Sequence, residues 1–445
     1  MLDTLYVISL HSLKIICDGV TILMIDSVVI HVPMQKQFTK QLGNKHMIIG
    51  DVADYALTAC TRYLVRDPVT HEVTHGELYH PFESLPSWHS GVAVKFFDTA
   101  MNCLPYVSLN ASIAKIGQGH NVYGHDNLYA GVVDMLSVLK ETYPVLWSCL
   151  DIENARLSRI DITYSAKLPS RNHAEQTRDF LRNVDWGRLR NNSKNERWNT
   201  VYFGGEASRV GVAVVYCKGV ELEDERKKLQ KQSKQGDLNA TKKLAIFTQE
   251  LQDYADKLLR FEARCKSRQI EQFGISNNLW DFIAHIFKNK QTLFELWNYK
   301  FKPIFDALKG KHMTHADDSE VLNLLLDKLT TITDSGKKST TQALNAYNFY
   351  KRIKQDGFLK VKSLHNQRTF QRNVKNLIDC GISRSHLQNL HSNDGEIVPI
   401  IQLVNIDFAN QLPSDFKPFI SPNLKEFNHF LTARGLEVKP QLYVA

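Results

Sequence analysis

The feature that most restricts the fold is a change in hydrophobic spacing along the chain. From residue 24 to about residue 219, short apolar or alternating segments are separated by polar turns, a spacing typical of β-strands. The predicted strands are Ser27–Val32, Ser90–Phe97, Tyr106–Ser112, Ser158–Tyr164, Thr200–Phe203 and Val210–Tyr216. Helical patterns at Gly131–Thr142 and His173–Val184 lie between some of them. This mixture predicts an α+β core built on a largely antiparallel sheet.

The spacing becomes helical in the second half of the chain. After a charged segment at 224–243, with seven basic and three acidic residues, a helix is predicted at Leu244–Leu259 and a strand at Leu259–Arg264. The charged segment is expected to be a solvated helix or a mobile linker, and from Asn277 onward the pattern is mainly helical. We expect three parts: a possible non-native or misassigned extension at 1–23, a first domain at 24–312, and a basic helical region at 313–445.

Length and composition are those of a soluble globular protein. The 445 residues exceed the roughly 250 at which single cores stop growing, so more than one domain is expected. The 55 Lys and Arg exceed the 47 Asp and Glu by 8, which is weak support for a polyanionic partner. The seven cysteines form no CxxC pair, which argues against a disulfide framework or zinc ribbon and fits a reducing cytoplasm. No apolar run reaches the ~18 residues of a membrane span, and no signal peptide is expected.

Two enzyme motifs are incomplete. The segment 71–75 matches the H-E-x-x-H pattern of zinc proteases, which requires a helix. Pro68, Gly76 and the β-branched interior favour a hairpin strand instead, in which the two imidazoles would be ~13 Å apart. The segment 336–339 lacks the upstream glycine of a phosphate-binding loop. Strand separation of DNA would therefore depend on a partner.

Polar side chains gather on one face of several predicted strands. Strand alternation places Asp161 opposite the apolar face of its strand, Glu262 on the face it shares with Arg260 and Arg264, and Tyr216 on the face it shares with Lys218. The glycine-rich turn 117–124 presents His120 and Asn121. Each feature alone is ordinary, since such tyrosines usually pack in a sheet and such acids usually form structural ion pairs.

The ordered series of segments resembles the gene II replication initiator family of filamentous phages. The segments that carry the resemblance are 79–86, 111–124, 158–161, 215–222, 259–264, 312–319 and 404–408. It extends from Met24 to about residue 410. The segments 200–204 and 215–218 also resemble plasmid rolling-circle initiators.

The resemblance implies a site-specific DNA nickase that rejoins strands. Tyr216 would attack one phosphodiester of the origin, leaving a 3′-hydroxyl primer and a 5′-phosphotyrosine. Lys218 could stabilise phosphate charge. No second tyrosine follows Tyr216 at helical spacing, so a cycle with one tyrosine, possibly using two protomers, is expected.

A divalent ion would assist a tyrosine whose unperturbed pKa is about 10. Asp161 and Glu262 suit Mg²⁺, and His120 as a third ligand would favour Mn²⁺. The chain lacks the His-hydrophobe-His triplet of many tyrosine nickases, and this puts the ligand set in doubt. Asn121, Arg260 and Arg264 are expected to contact DNA.

The C-terminal region reads as a binding module. Residues 345–375 hold eight basic residues and one acidic residue. A helix with Leu344, Tyr347, Tyr350 and Ile353 on one stripe precedes a second helix that carries Phe370, Val374, Leu377 and Ile378. The outer side of the second helix carries Arg368, Arg372 and Lys375 as expected DNA contacts. The pair is either a helix-turn-helix or a helical bundle with a solvated basic face.

The implied partners are double-stranded origin DNA, single-stranded DNA, a host helicase and DNA polymerase, a single-strand-binding protein and possibly a second copy of the chain. No membrane is involved, the expected location is the host cytoplasm, and a separate product may start at Met313. The alternatives are a plasmid-type initiator or relaxase, and a non-catalytic origin-binding protein. A tyrosine recombinase is disfavoured because no distal Arg and His set precedes a C-terminal nucleophile.

Overall fold

The computed structural model describes residues 23–55, 64–66, 73–75, 83–85, 91–184, 199–205, 208–308, 318–332, 336–390, 407, 410–417 and 420–432. The α+β architecture predicted from the sequence is confirmed. An antiparallel sheet and its helices form the first part of the chain, and helices dominate the part after residue 318. The expected extension at 1–23 and the expected boundary at 312 fall almost wholly outside the described residues.

Fifteen strands occur within the described residues. They are β1 Met24–Pro33, β2 Thr39–Leu42, β3 Lys45–Ile48, β4 Leu64–Arg66, β5 Val73–His75, β6 Glu83–Leu85, β7 Val92–Phe97, β8 Thr99–Met101, β9 Tyr106–Ala111, β10 Arg156–Lys167, β11 Thr200–Phe203, β12 Gly211–Cys217, β13 Leu258–Lys266, β14 Thr331–Ile332 and β15 Lys338–Ser339. Eight of them form the main sheet in the order β11-β12-β13-β10-β1-β9-β7-β6, and every neighbouring pair is antiparallel. Strand β5 pairs with β4, so Val73–His75 is extended as predicted, whereas His71 and Glu72 lie outside the described residues.

The described helices follow in chain order. They are α1 Ile113–Gln118, α2 Leu128–Thr142, α3 Pro144–Ser148, α4 Arg171–Arg182, α5 Lys218–Lys234, α6 Leu238–Leu244, α7 Gln249–Asp256, α8 Ser267–Gln272, α9 Leu279–Lys288, α10 Thr292–Leu308, α11 Asp318–Leu329, α12 Thr341–Asp356, α13 Phe358–Leu364, α14 Gln367–Asp379, α15 Arg384–Asn389 and α16 Leu424–Thr432. Short 3₁₀ helices form at Lys36–Phe38 and Val52–Tyr55. No described helix is long and apolar enough to cross a membrane.

The main core lies on one face of the eight-stranded sheet. Apolar side chains of alternate strand positions, such as Ile162 and Phe261, pack there against α2, α4, α9 and α10. Trp297 is one of the largest buried side chains, and its indole Nε1 donates a hydrogen bond of 2.8 Å to the Phe261 carbonyl. Because strand side chains alternate, Asp161 and Glu262 point to the opposite face, as the sequence predicted.

The charged segment 224–243 is folded rather than a mobile linker. It forms the end of α5 and most of α6, which pack against α7. Leu229 and Ala240 are buried there in a small apolar cluster. The helix predicted at Leu244–Leu259 is shorter than expected, because Thr248 starts α7 by accepting a hydrogen bond from the Leu251 amide at 3.2 Å and β13 begins at Leu258.

The C-terminal helices α11 to α15 share a second core, which makes them a helical bundle. Tyr350 and Ile353 are buried there as predicted, but Leu344 is 45% exposed. A third helix, α13, separates the two that were predicted, because Gly357 with a positive φ of 83° ends α12. Helix α15 contacts α10, and the Asn183 amide donates a hydrogen bond of 2.9 Å to the Asn389 side chain.

The chain then returns to the first core. The side-chain amide of Gln411 bonds the backbone of Ser165, accepting from its N–H at 2.7 Å and donating to its carbonyl at 3.1 Å. The Phe416 ring meets the Tyr123 ring edge-on with centroids 5.7 Å apart. Helix α16 contacts α2, and Ser421 donates a hydrogen bond to Asp134. The described part of 410–432 is therefore a C-terminal strap on the first core.

Candidate active site

A cavity of about 340 Å³ opens on the face of the sheet that carries the predicted polar side chains. Strands β1, β10, β11, β12 and β13 and helices α1 and α5 contribute to its wall. Its lining residues are Asp26, Ser27, Ser112, Lys115, Asn121, Arg159, Asp161, Thr200, Tyr202, Val214, Tyr216, Glu221, Glu262 and Arg264. Five residues predicted as functional therefore meet in one place: Asn121, Asp161, Tyr216, Glu262 and Arg264.

Tyr216 lies near the end of β12 with its phenol oxygen among charged groups. The hydroxyl donates a hydrogen bond to Glu262 Oε2 at 3.1 Å, and Asp26 Oδ2 lies 3.4 Å away on another side. The side chain is 7% exposed. Burial raises the pKa of Tyr216 well above its usual value, and the nearby Glu262 carboxylate adds to this, while Arg260 opposes it. The resting phenol is therefore protonated and needs added positive charge to become a nucleophile.

Asp26 is a site residue that the sequence pattern concealed. In the pairing of β1 with β10, Ile25 faces Ile162 and Ser27 faces Asp161, so Asp26 is an extra residue at a β-bulge. Strict alternation would place Asp26 on the same face as the buried residues 28, 30 and 32 of β1. The bulge turns it into the cavity instead. The usable signal was a carboxylate inside a short apolar run.

The Asp26 carboxylate is fixed from both ends. Oδ1 accepts hydrogen bonds from Asn121 Nδ2 at 2.7 Å and Ser112 Oγ at 3.3 Å, and Oδ2 faces Arg260 Nη1 at 3.4 Å. Burial alone would raise the pKa of Asp26, but the charges of Arg260 and Lys218 outweigh it and hold the pKa below its usual range. Asp26 is therefore an anion beside the tyrosine.

Arg260, predicted as a DNA contact, is 1% exposed and is not part of the cavity wall. Its Nη2 donates a hydrogen bond of 2.6 Å to the Val122 carbonyl, and its Nη1 reaches both Asp26 and, at 3.5 Å, the Tyr216 oxygen. This guanidinium therefore acts within the protein, behind the phenol.

The other predicted carboxylates lie on β10 and β13. Glu262 Oε1 accepts a hydrogen bond of 2.7 Å from Arg264 Nε. Asp161 Oδ1 lies 3.1 Å from Arg159 Nε, but the N–H is not directed at it, so both atoms are ion-paired without a hydrogen bond. Burial raises the pKa of Asp161 to about 8, with Arg159 opposing and Glu262 adding to the shift. A buried carboxyl with an unsatisfied oxygen is suited to receive a cation.

These groups allow a limited test of a metal site. No group of three or more His, Cys, Asp or Glu side chains within the described residues is arranged as a ready metal site. Mg²⁺ commonly uses only one or two protein carboxylates and completes its shell with water and substrate phosphate. Asp161 and Glu262 are hard oxygen donors on the wall of one cavity, so the residues present fit such a site.

The third predicted ligand, His120, does not line the cavity. It is 6% exposed, and its Nδ1 accepts a hydrogen bond of 3.3 Å from the Val122 amide. Burial and the positive charge of Lys218 lower the pKa of His120 to about 4, so the imidazole is neutral near pH 7. Its role as a ligand stays a prediction.

Lys218, predicted to stabilise phosphate, is fully buried at the start of α5 and does not line the cavity. Its Nζ donates to Asn121 Oδ1 at 2.7 Å and also contacts Glu221. Through Asn121 it acts on Asp26. The structure therefore places this lysine as a support of the cavity wall.

The three predicted DNA contacts of the C-terminal region lie on α14. Arg368, Arg372 and Lys375 are exposed and recur at i, i+4 and i+7, so they share one face of the helix. The opposite face, with Phe370, Val374 and Leu377, is buried in the bundle. The basic face is free to meet a polyanion, although Lys375 also pairs with Asp379 at 2.9 Å.

Comparison with known proteins gives a consistent family. Residues 24–284 match the family model for the N-terminal part of the phage replication-associated protein encoded by gene II, and residues 332–424 match the model for its C-terminal part. The replication-associated protein of this description from Enterobacteria phage M13 is 34% identical over 401 residues, which cover 88% of this chain and 97% of that protein. The protein of the same description from Salmonella phage IKe is 34% identical over 403 residues, or 88% of this chain and 95% of that protein. No solved structure matches the chain.

Proposed function

Because the chain belongs to the gene II family of phage replication-associated proteins, we propose that it starts rolling-circle replication by nicking one strand of a DNA origin. The enzyme then rejoins the displaced strand into a circle. The observation that carries this proposal is the position of the Tyr216 oxygen, 3.1 Å from Glu262 Oε2 inside a cavity with a basic and acidic wall.

The chemistry follows from that position. The Tyr216 oxygen attacks the phosphorus of one phosphodiester in line, and its proton passes to the nearest carboxylate, Glu262 Oε2. The bond from phosphorus to the 3′ oxygen breaks, and that oxygen takes the electron pair and a proton to become the 3′-hydroxyl primer. The new phosphotyrosine bond conserves the energy of the broken bond. In the joining step a 3′-hydroxyl attacks this phosphorus, and Tyr216 leaves with a proton.

Positive groups would stabilise the charge that develops. Arg264 and Arg159 line the cavity and are placed to approach a phosphate, while Arg260 lies behind the phenol oxygen. Bound Mg²⁺ or Mn²⁺ would neutralise phosphate charge and favour the ionised tyrosine. We assign Asp161 and Glu262 to hold it.

His120 is a further proposed ligand. If it reaches the ion when DNA is bound, its replacement by Ala should shift the preference between Mg²⁺ and Mn²⁺ in a nicking assay. An unchanged metal profile would remove it from the ligand set.

The bundle and the cavity would divide the work on DNA. The basic face of α14 supports binding of duplex origin DNA, and the cavity takes the strand to be cut. A host helicase, a polymerase and a single-strand-binding protein would complete replication in the host cytoplasm, because the chain has no phosphate-binding loop of its own in the segment 336–339.

The decisive experiment uses Tyr216→Phe, which keeps the ring and removes the oxygen. On supercoiled DNA with the cognate origin and Mg²⁺, we expect no nicked product, no covalent adduct and no rejoining, while origin binding persists. Tyr202→Phe is the matched control, because Tyr202 lines the same cavity and should still nick. Peptide mapping of the wild-type adduct should find DNA on the peptide with Tyr216. An adduct on Tyr202 would reject the nucleophile, and nicking without any adduct would reject the mechanism.

A further inference from the structure

The sheet face that holds the cavity continues beyond it across β1, β9 and β7. Side chains that point to this face, such as Val29, His31 and Asn110, are half-exposed, whereas their neighbours in sequence are buried under the helices. Ser27 joins the two regions, because it lines the cavity and its Oγ donates a hydrogen bond of 3.1 Å to Asn110 Oδ1. The cavity therefore opens onto a continuous polar and aromatic surface.

Three aromatic rings form a row on this surface. The Tyr106 ring is stacked between the Phe97 ring and the His31 ring, with centroid distances of 4.5 Å on each side and interplanar angles of 20° and 30°. That distance is close to the ~4.8 Å between strands, so the rings stand on edge across the sheet. We call the row His31, Tyr106 and Phe97 the aromatic ridge. It is half-exposed along its length.

Positive side chains surround the aromatic ridge. Lys95 Nζ lies 5.2 Å from the Phe97 ring centroid, and Arg156 is exposed on β10 at the position that pairs with His31. Nearer the cavity, Arg159 Nη2 donates a hydrogen bond of 3.4 Å to Ser27 Oγ. Within β1, β7 and β9 the one acidic residue is Asp26, which points into the cavity.

We propose that the aromatic ridge and its basic side chains bind the single-stranded DNA that leads into the cavity. This rests on the proposed nicking function. Unpaired bases would pack against the ring edges, and phosphates would meet Lys95, Arg156 and Arg159. The path from β7 to β10 crosses three strand spacings, roughly 14 Å. A duplex fits this surface poorly, because its bases are already stacked on one another and are not available to the rings.

The test compares two double variants of the full chain. The ridge variant combines Tyr106→Leu with Lys95→Ala, and the control combines Tyr299→Leu with Lys288→Ala, which are exposed on α10 and α9. The probe is a fluorescein-labelled single strand of about 20 nucleotides, followed by anisotropy, and the same sequence as a duplex. We expect the ridge variant to lose about fivefold or more of its single-strand affinity and to keep its duplex affinity. The control should keep both.

Two further measurements separate binding from folding. Tyr106→Phe retains the ring and should bind the single strand like the wild type. In the wild-type protein, ultraviolet cross-linking with an oligonucleotide that carries iodouracil should label peptides from 91–111. Cross-links confined to 341–379, or unchanged single-strand affinity in a folded ridge variant, would overturn the proposal. An equal loss of single-strand and duplex affinity would also overturn it.

Tyr216→Phe distinguishes this proposal from the nicking function. It should retain the single-strand affinity of the wild type, because the phenol oxygen does not belong to the ridge. Nicking by that variant would reject the nucleophile and leave the binding result intact. Loss of nicking by Tyr216→Phe, together with unchanged affinity in the ridge variant, would reject the ridge alone.

Discussion

Asp26→Asn tests whether the cavity depends on a buried ion pair. Arg260 is 1% exposed, and Asp26 is its ion-pair partner at 3.4 Å. Removal of one partner of a buried pair typically costs about 3–5 kcal/mol, because the other charge is left uncompensated. Arg260 keeps its 2.6 Å bond to the Val122 carbonyl, and an asparagine still accepts from Asn121. We therefore expect the lower end of the range, about 3 kcal/mol.

The assay can be confined to the first core. All six tryptophans lie at or before residue 297, so urea unfolding followed by tryptophan fluorescence reports on the sheet domain and not on the bundle. Asp253→Asn is the control, since Asp253 is exposed on α7 and its loss should change stability by less than about 0.5 kcal/mol. A double-mutant cycle with Arg260→Met should recover part of the loss, because it removes the uncompensated charge.

The same variant has a pH signature with a definite sign. The folded-state pKa of Asp26 is depressed, so its contribution is present above the unfolded carboxyl pKa of about 3.9 and is lost as pH falls through the folded value. The stability difference between wild type and Asp26→Asn should be constant from about pH 5 to 8 and should shrink below about pH 4. An unchanged urea midpoint at pH 7, or a difference that grows in acid, would refute the pairing of Asp26 with Arg260.

Three other substitutions test the site, the bundle and the core. Asp161→Asn and Glu262→Gln should each abolish nicking while leaving duplex binding intact, as measured on supercoiled DNA with and without EDTA; full nicking by either would contradict the metal assignment. Asp161→Asn should also stabilise the first core at pH 8 in EDTA, with no gain near pH 4, because the folded pKa of about 8 makes ionisation of the buried carboxyl unfavourable. Replacing Arg372 and Lys375 together by Ala should lower the salt slope of duplex binding by up to about 2, and an unchanged slope would show that this face only meets solvent. Gly131→Ala should cost about 1–3 kcal/mol in the tryptophan assay, because the new Cβ would lie 2.4 Å from a side chain of α1, and wild-type stability would show that α1 yields freely.

Strand alternation allowed much of the fold and half of the site to be predicted. The polar faces assigned to Asp161, Glu262 and Tyr216 are the faces that form the cavity, because a period of two leaves no other choice once the apolar face is buried. The same rule failed at Asp26. A bulge adds one residue to β1, and bulges depend on pairing with a distant strand that local sequence does not specify.

Long side chains limited the prediction in another way. Arg260 and Arg264 share one strand face, and alternation treats them alike. The structure buries the first behind Tyr216 and leaves the second on the cavity wall, because the turn at Val122 covers one end of β13. Only the three-dimensional path of that turn decides which guanidinium can meet DNA. The position of His120 depends on the same turn, and its spacing in the sequence did not reveal the bond to the Val122 amide.

The C-terminal strap makes the bundle a closed loop of the first core. The chain leaves that core at Leu308 and binds it again at Gln411, so about 100 residues lie between two fixed points. Joining the ends of an unfolded loop of that length would cost about 4 kcal/mol in chain entropy. A folded bundle has already brought its ends together, so it reduces this cost for the strap. Loss of bundle structure would therefore loosen the hold of Gln411 on Ser165 and of Phe416 on Tyr123, at a distance from any residue that had changed.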